Sequence, residues 1–331
     1  MKVLVTGGAG FIGSHLVDRL LARGDHVVVV DDFNDFYDPE IKRANVGPHL
    51  EDPAFRLFEL DIRDGAAVGE AIGTVRPDAV VHLAARAGVR PSIADPILYE
   101  ETNCLGTLNI LEAVRGLGLS NFVFASSSSV YGVNSKVPFS EEDPITCPIS
   151  PYASTKRAGE LHCHAYAHLY GLPVTCLRFF TVYGERGRPD MAVAKFTGRI
   201  WDGRPIEVYG DGTARRDFTY ISDIVSGVLA ALDRPARYEI INIGGSRTVE
   251  VRRLIEVIED CLGRKARIDF QDPAPGDVPI TYADASKAED LLGFRAGVGI
   301  EEGVRRYVDW FLERRDGRPG VGRAGGGEGA G

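Results

Sequence analysis

Cysteine is scarce in this chain of 331 residues, and no two cysteines stand close together: Cys104, Cys147, Cys163, Cys176 and Cys261 are all there are. An odd count without a close pair argues against a disulfide framework and against a zinc site, and it fits a reducing compartment. No run of 18 apolar residues occurs, so no segment reads as a membrane-crossing helix. The opening MKVLVTGGAG has one lysine and no apolar stretch before a cleavage site, which argues against a secretory signal. A soluble cytoplasmic protein is the expectation. Positive charge is in deficit, with 38 Lys and Arg against 47 Asp and Glu, a net charge of −9. That balance argues against nucleic acid or an anionic membrane as the main partner. It leaves room for an anionic small molecule, because a few local arginines override the global sign. Hydrophobic residues make up 44% of the chain, enough at this length for a large core without staples.

Strand-like and helix-like segments alternate through the first half. Apolar runs at Val3–Thr6, Val27–Asp31, Phe55–Asp61, Ala79–Ala84, Phe122–Ser127 and Val174–Phe179 read as strands. Gly13–Arg23, Ala66–Val75, Thr102–Leu117 and Ser154–Tyr170 read as helices between them. Strands apolar on both faces, separated by helices, predict a doubly wound parallel α/β sheet of Rossmann type. After residue 180 the pattern breaks into shorter pieces, such as Ile206–Tyr209, predicting a smaller α/β lobe over 181–315. Segments near 213–245 are expected to return to the 1–180 domain. Residues 316–331 hold eight glycines and read as a disordered tail.

Gly7, Gly10 and Gly13 follow the first strand and open the first helix, spaced G-x-x-G-x-x-G. Glycine allows close backbone approach, and a helix N-terminus offers N–H groups to a pyrophosphate. Asp31 and Asp32 end the second strand about 20 residues later, where a carboxylate accepts from an adenosine ribose and repels a 2′-phosphate. This pattern predicts NAD rather than NADP.

Tyr152 and Lys156 form Y-x-x-x-K at a helix start and share one helical face. A phenol of ordinary pKa ~10 is a poor base at neutral pH. A neighbouring ammonium favours the phenolate, so Lys156 is expected to lower Tyr152 and let it move a hydroxyl proton. The run Ser126-Ser127-Ser128-Ser129 ends a strand, where ligands bind in open α/β sheets. Four serines make poor core and a good ring of hydroxyls around a sugar.

In order along the chain stand VTGGAGFIGSHL, HLAA, Asn103, SSSSVYG, YxxxK, RFFTVYG, GDGTARRDFTYISD, NIG and PGDVP. With these motifs the sequence resembles the extended short-chain dehydrogenase/reductase family of nucleotide-sugar enzymes, from residue 1 to about 314. The resemblance implies a catalytic triad of Ser127, Tyr152 and Lys156. It implies cofactor contacts at Phe11, Ile12, Asp31, Asp61, Ile62, Leu83, Ala84, Ala85, Asn103 and Phe180, with Lys156 holding the nicotinamide ribose. Arg216 matches the arginine that grips the nucleotide diphosphate, and Asp277 of PGDVP joins the substrate set. A homodimer through the 102–117 and Tyr152 helices is implied as well.

Sugar 4,6-dehydratases of the family carry Asp-Glu where Ser128-Ser129 stands here, and decarboxylases usually carry a Glu. Lacking these, the chain resembles a 4-epimerase. Ala87-Gly88-Val89-Arg90 and the 187–192 stretch resemble UDP-glucuronate 4-epimerases. Thr181 and Ala274 depart from the galactose-type enzymes, which have Asn and Arg at those places. Arg90, Ser128, Ser129, Thr181 and Arg188 are the candidates to receive a C6 carboxylate, the two arginines being equally open to a diphosphate or to structural ion pairs. The expected reaction is oxidation at C4 by tightly held NAD+, rotation of the 4-keto sugar, and reduction from the other face, with Tyr152 taking and returning the proton. A 4-keto uronic acid can lose CO2 when its C5–C6 bond aligns with the carbonyl, so the site must pin the carboxylate out of alignment. UDP-glucose/UDP-galactose 4-epimerisation, UDP-glucuronate decarboxylation and a non-catalytic NAD sensor remain as rivals. Uridine is not distinguished from thymidine. No metal is expected.

Overall fold

The computed structural model describes residues 1–134, 136–273, 276 and 278–315. Asp277 and the glycine-rich 316–331 segment, both singled out in the sequence, lie outside the described residues. Six strands, β1 (Lys2–Thr6), β2 (His26–Asp31), β3 (Phe55–Glu59), β4 (Ala79–His82), β5 (Asn121–Ser127) and β6 (Val174–Phe179), join a seventh, Tyr238–Ile243, in one sheet. Every pairing in that sheet is parallel, in the order Tyr238–Ile243, β6, β5, β4, β1, β2, β3. Strand order reverses between β1 and β4, and a crevice opens there at the strands' carboxyl ends.

Local chemistry sets the elements. Val27 to Val30 in β2 and Val3 to Val5 in β1 are fully or nearly fully buried, as β-branched and apolar strands covered on both faces must be. Asp64 caps the Gly65–Val75 helix by accepting from the N–H groups of Ala66 and Ala67. Ser150 caps the long Pro151–Tyr170 helix through Ala153 N–H at 3.1 Å, with proline in the first turn, and Gly171 ends it in the left-handed region. One apolar cluster (with Leu16, Leu20 and Val225) fills one face of the sheet and runs on into the smaller lobe. A second (with Ile110, Phe122 and Cys176) fills the other face. In the lobe, Ile206–Tyr209 pairs with Ile268–Gln271, Thr181–Tyr183 with Phe218–Tyr220, and Arg215–Arg216 with Val249–Glu250.

The expected 102–117 helix differs in form. The chain first makes short helices at Val89–Ala94 and Pro96–Tyr99, then a π-helical turn over Glu100–Leu105, and only then a helix over Gly106–Val114. The widened turn aims Asn103 inward. Its side chain accepts from Arg86 N–H at 2.8 Å and donates to Arg86 carbonyl at 2.9 Å and to Thr155 Oγ1 at 3.0 Å. These tertiary bonds offset the poorer packing of a π turn. The structure adds helices at Pro39–Val46 and Ala192–Trp201 to the expected set.

Candidate active site

The crevice is floored by the loop after β1. Gly13 lies so close beneath that loop that an added Cβ would sit 2.1 Å from the Gly7 carbonyl oxygen. No other residue type allows this approach of loop to helix. Gly10 is the N-cap of the Phe11–Ala22 helix, with no side chain capping it and no acidic residue in its first turn. Backbone donors and the positive end of the helix dipole are therefore left for an anion.

At the end of β2, Asp31 is almost fully buried. Its carboxylate accepts from Ala9 N–H at 3.0 Å and Phe33 N–H at 3.0 Å, which ties the glycine loop to the neighbouring strand. Burial raises its pKa, against these hydrogen bonds and the charge of Lys42. Asp32 accepts from both nitrogens of Asn34. Leu60, Ile62 and Leu83 line an apolar slot beside them. An uncapped helix N-terminus, a carboxylate pair at the β2 end and an apolar slot are the donor set that a dinucleotide such as NAD requires, so the residues present fit that group.

Across the switch point lies the reacting end. Tyr152 and Lys156 project from the Pro151–Tyr170 helix beside Ser127 at the end of β5, and all three line the same crevice. Burial raises the Tyr152 pKa, while a hydrogen bond with Ser127 and the charge of Arg188 pull it back. The Lys156 ammonium donates to Ala125 carbonyl at 2.7 Å, and the charge of Arg188 also favours the phenolate. Burial lowers Lys156 itself to about 8, partly countered by Cys104, Cys163 and Glu160. Ser127 Oγ donates to Ser129 Oγ at 3.1 Å and accepts from Ser129 N–H at 3.2 Å, so the turn after β5 is closed by its own serines.

The crevice gathers Gly7, Gly10, Phe11, Ile12, Gly13, Asp31, Asp32, Ile62, Leu83, Ala84, Ala85, Ser127, Tyr152, Lys156, Phe180 and Arg188 from the expected set. It does not gather all of that set. Asp61 is held by Arg63 at 2.6 Å, and Asn103 braces Arg86 from behind. Ser128 and Ser129 lie in the 3-10 turn after β5 rather than on the crevice wall. Thr181 lines a small adjoining cavity with Phe11, Arg188 and Met191. Arg90 lines a separate groove and lies over the Tyr209 ring at 3.8 Å, and Arg216 donates to the carbonyls of Arg215 and Pro279. Arg188 is bound bidentately by Asp190 at 2.9 and 2.8 Å and lies over Phe36. Ser126, part of the serine run read from the sequence, also lines the crevice. Phe36, Tyr37, Lys42, Arg86, Thr102 and Met191 line it too, and sequence reasoning misses them. Most come from segments without a periodic or motif signal.

Comparison with known proteins agrees with this geometry. The model of the NAD dependent epimerase/dehydratase family matches residues 3–244. A UDP-glucuronate 4-epimerase of Thermodesulfobacterium geofontis is 43% identical over 311 residues, covering 94% of this chain and 96% of that one. The crystal structure of UDP-glucuronic acid 4-epimerase from Bacillus cereus, in complex with UDP-glucuronic acid and NAD, is similar with a TM-score of 0.89 and 37% identity, covering 95% of this chain and 100% of that one. The UDP-glucose 4-epimerase of Thermus thermophilus, in complex with NAD, has a TM-score of 0.86 and 36% identity, covering 94% and 99%. The matched stretch holds the strands of the large sheet and the crevice they carry, and on that ground the chain belongs to the NAD dependent epimerase/dehydratase family.

Proposed function

We propose that this chain interconverts UDP-glucuronate and UDP-galacturonate by NAD-dependent epimerisation at C4. One observation carries the choice of reaction. Among the described residues, the carboxylates lining the crevice are Asp31 and Asp32, at the β2 end, whereas the wall near Tyr152 offers Ser126, Ser127, Thr102 and Arg188. Dehydration or decarboxylation needs a further acid or base beside the sugar, and the described residues lining that end include none. The likeness to UDP-glucuronate 4-epimerases supports the choice of substrate.

In this reading residues 1–180, with 213–245, hold the cofactor, and 181–315 mainly hold the sugar nucleotide. The loop from Gly7 to Gly13 takes the pyrophosphate, Asp31 and Asp32 face the adenosine ribose, and Lys156 holds the nicotinamide ribose. Bound there, NAD would supply the hydride chemistry at C4, removal from one face and return to the other. Tyr152 takes the 4-hydroxyl proton and gives it back, with Ser127 holding the oxygen in line. Arg188 sits close enough to favour the phenolate while it is paired with Asp190 through Nε and Nη2. Ser128, Ser129 and Thr181 are left to hold the C6 carboxylate and to keep the C5–C6 bond out of line with the C4 carbonyl, which suppresses loss of CO2. Arg216 takes the diphosphate.

A homodimer fits the same reading. Ile97, Leu105 and Leu161 are about half exposed or more on the short helix, the π turn and the long helix that would form its face.

The test is incubation of the purified protein with UDP-glucuronate and, separately, UDP-glucose, with products identified by NMR. UDP-galacturonate should appear, UDP-glucose should stay unchanged, and Tyr152→Phe should lose about 10²–10⁴ in turnover while still binding NADH. Conversion of UDP-glucose alone would move the assignment to the neutral sugars.

A further inference from the structure

Behind the reacting groups lies a buried polar cluster that the mechanism above does not use. Glu160 follows Lys156 by one helical turn and is fully buried, as is Arg178 on β6. Arg178 grips the carboxylate with two bonds, Nε to Oε1 at 2.8 Å and Nη2 to Oε2 at 2.9 Å. Arg157 Nη1 donates to Oε2 at 2.8 Å, and Ser126 Oγ donates to Oε1 at 2.6 Å. Four donors saturate the carboxylate. Arg178 Nη1 also donates to Tyr131 Oη at 3.0 Å, and that hydroxyl donates to Asn242 Oδ1 at 2.7 Å. Tyr238 Oη donates to the Glu160 carbonyl at 3.0 Å. The cluster thus pins the long helix to β5, β6, the turn after β5 and the Tyr238–Ile243 strand.

We propose that Glu160 is a positioning residue for the reaction proposed above: held by Arg178 and Arg157, its carboxylate fixes the Ser126–Ser127 strand end and the helix face that carries Lys156. Removing a buried carboxylate leaves two guanidiniums unbalanced one turn from a buried lysine, and the lysine gives up its proton more easily. The other groups facing Lys156 are Tyr152 and Cys163 on its own helix, Cys104 on the π turn, His82 on β4, and the Ala125 carbonyl and Phe124 ring on β5, and Cys104 and Cys163 favour the ammonium ahead of Glu160. His82 is held neutral, its pKa lowered by burial and by Lys156 to about 3, and its ring bonds Thr6 and Thr107.

Opposite charge changes within one cluster separate this role from mere support. NADH affinity, followed by fluorescence across pH, reads the lysine charge without turnover, and kcat across pH reads it with turnover. The intact protein should lose NADH affinity on the alkaline side with a midpoint near the Lys156 value of about 8. Glu160→Gln should move that midpoint to lower pH, and Arg178→Gln should move it to higher pH. Glu160→Asp, which keeps the charge but shortens the reach, should lower kcat and leave the midpoint in place. Where Glu160→Gln does not fold, Arg157→Gln, whose side chain is partly exposed, should give a smaller alkaline shift. Shifts in one direction for both parent variants, or lower kcat with unmoved midpoints throughout, overturn the proposal. A chain that binds NADH with these shifts but leaves UDP-glucuronate unchanged would keep this inference and reject the substrate reading.

Discussion

Asp217 stands between Arg216, assigned to the diphosphate, and Phe218, and it is fully buried. Its carboxylate accepts from Gly245 N–H at 2.7 Å, Ala283 N–H at 3.1 Å and Thr219 Oγ1 at 3.2 Å, and its carbonyl accepts from Thr181 N–H at 3.0 Å. One residue therefore ties together the backbones of Thr181, Gly245 and Ala283. Burial pushes its pKa up to about 6, against those hydrogen bonds. The folded chain then holds this proton more tightly than the unfolded chain does. The resulting stability is fully present below the unfolded value near 4 and is lost as pH rises through about 6. Denaturant unfolding of the parent and of Asp217→Asn should show it. The parent's advantage over the variant should shrink by about 3 kcal/mol between roughly pH 4 and pH 7, and a constant difference would contradict the assignment. At this scale the sequence is readable where a residue breaks its local pattern. Arg178 sits inside the apolar strand Val174–Phe179, and a charge in a strand buried on both faces demands a buried partner. Its partner, Glu160, stands at the next helical turn after Lys156. Arg188 is less readable, because its place beside Tyr152 depends on a loop whose path no local pattern dictates.

The Pro151–Tyr170 helix works because it comes unusually close to β5. Gly159 makes the approach possible: a Cβ there would lie 2.3 Å from Phe124 Cζ. That closeness lets Lys156 reach the Ala125 carbonyl and Glu160 reach Ser126. Gly159→Val should force the helix outward at a cost of about 1–3 kcal/mol. It should also lower kcat more than NADH affinity, read by thermal unfolding and steady-state kinetics on the same preparation. Unchanged kcat with a lowered Tm would show that the spacing matters for packing alone. Element types are legible wherever apolar spacing is strong, and β6 and Ile206–Tyr209 fall on their expected bounds. The Ala192–Trp201 helix has a legible pattern too, since Val193, Phe196, Thr197 and Ile200 bury one face at helical spacing. The π turn over Glu100–Leu105 has none, because the helical spacing of Leu105, Leu108 and Leu111 begins only at its last residue, while within the turn Asn103 makes the tertiary bonds that hold the wider winding.

On the scale of the molecule, the sheet and the smaller lobe are joined by a continuous apolar cluster, and in the proposed reading the sheet holds the cofactor while the lobe holds the sugar nucleotide. If the exposed apolar face of the long helix is a dimer face, Leu161→Glu should convert a dimer to a monomer in sedimentation at micromolar concentration. A parent that sediments as a monomer would remove the homodimer from the reading. The sheet also has a feature of order. β6 is the last strand of the first half, and its outer edge pairs with Tyr238–Ile243, register Val174 to Tyr238 through Phe179 to Ile243. During synthesis on the ribosome, that edge has no cover until residue 243 has left the exit tunnel, while the strands before it already have their neighbours. A nascent chain arrested after β6 has emerged, but before Tyr238–Ile243 has, would therefore present an open apolar edge to other chains. The half that carries Ser127, Tyr152 and Lys156 is translated early, yet its sheet is finished late, and shelter by chaperones is needed most in that interval.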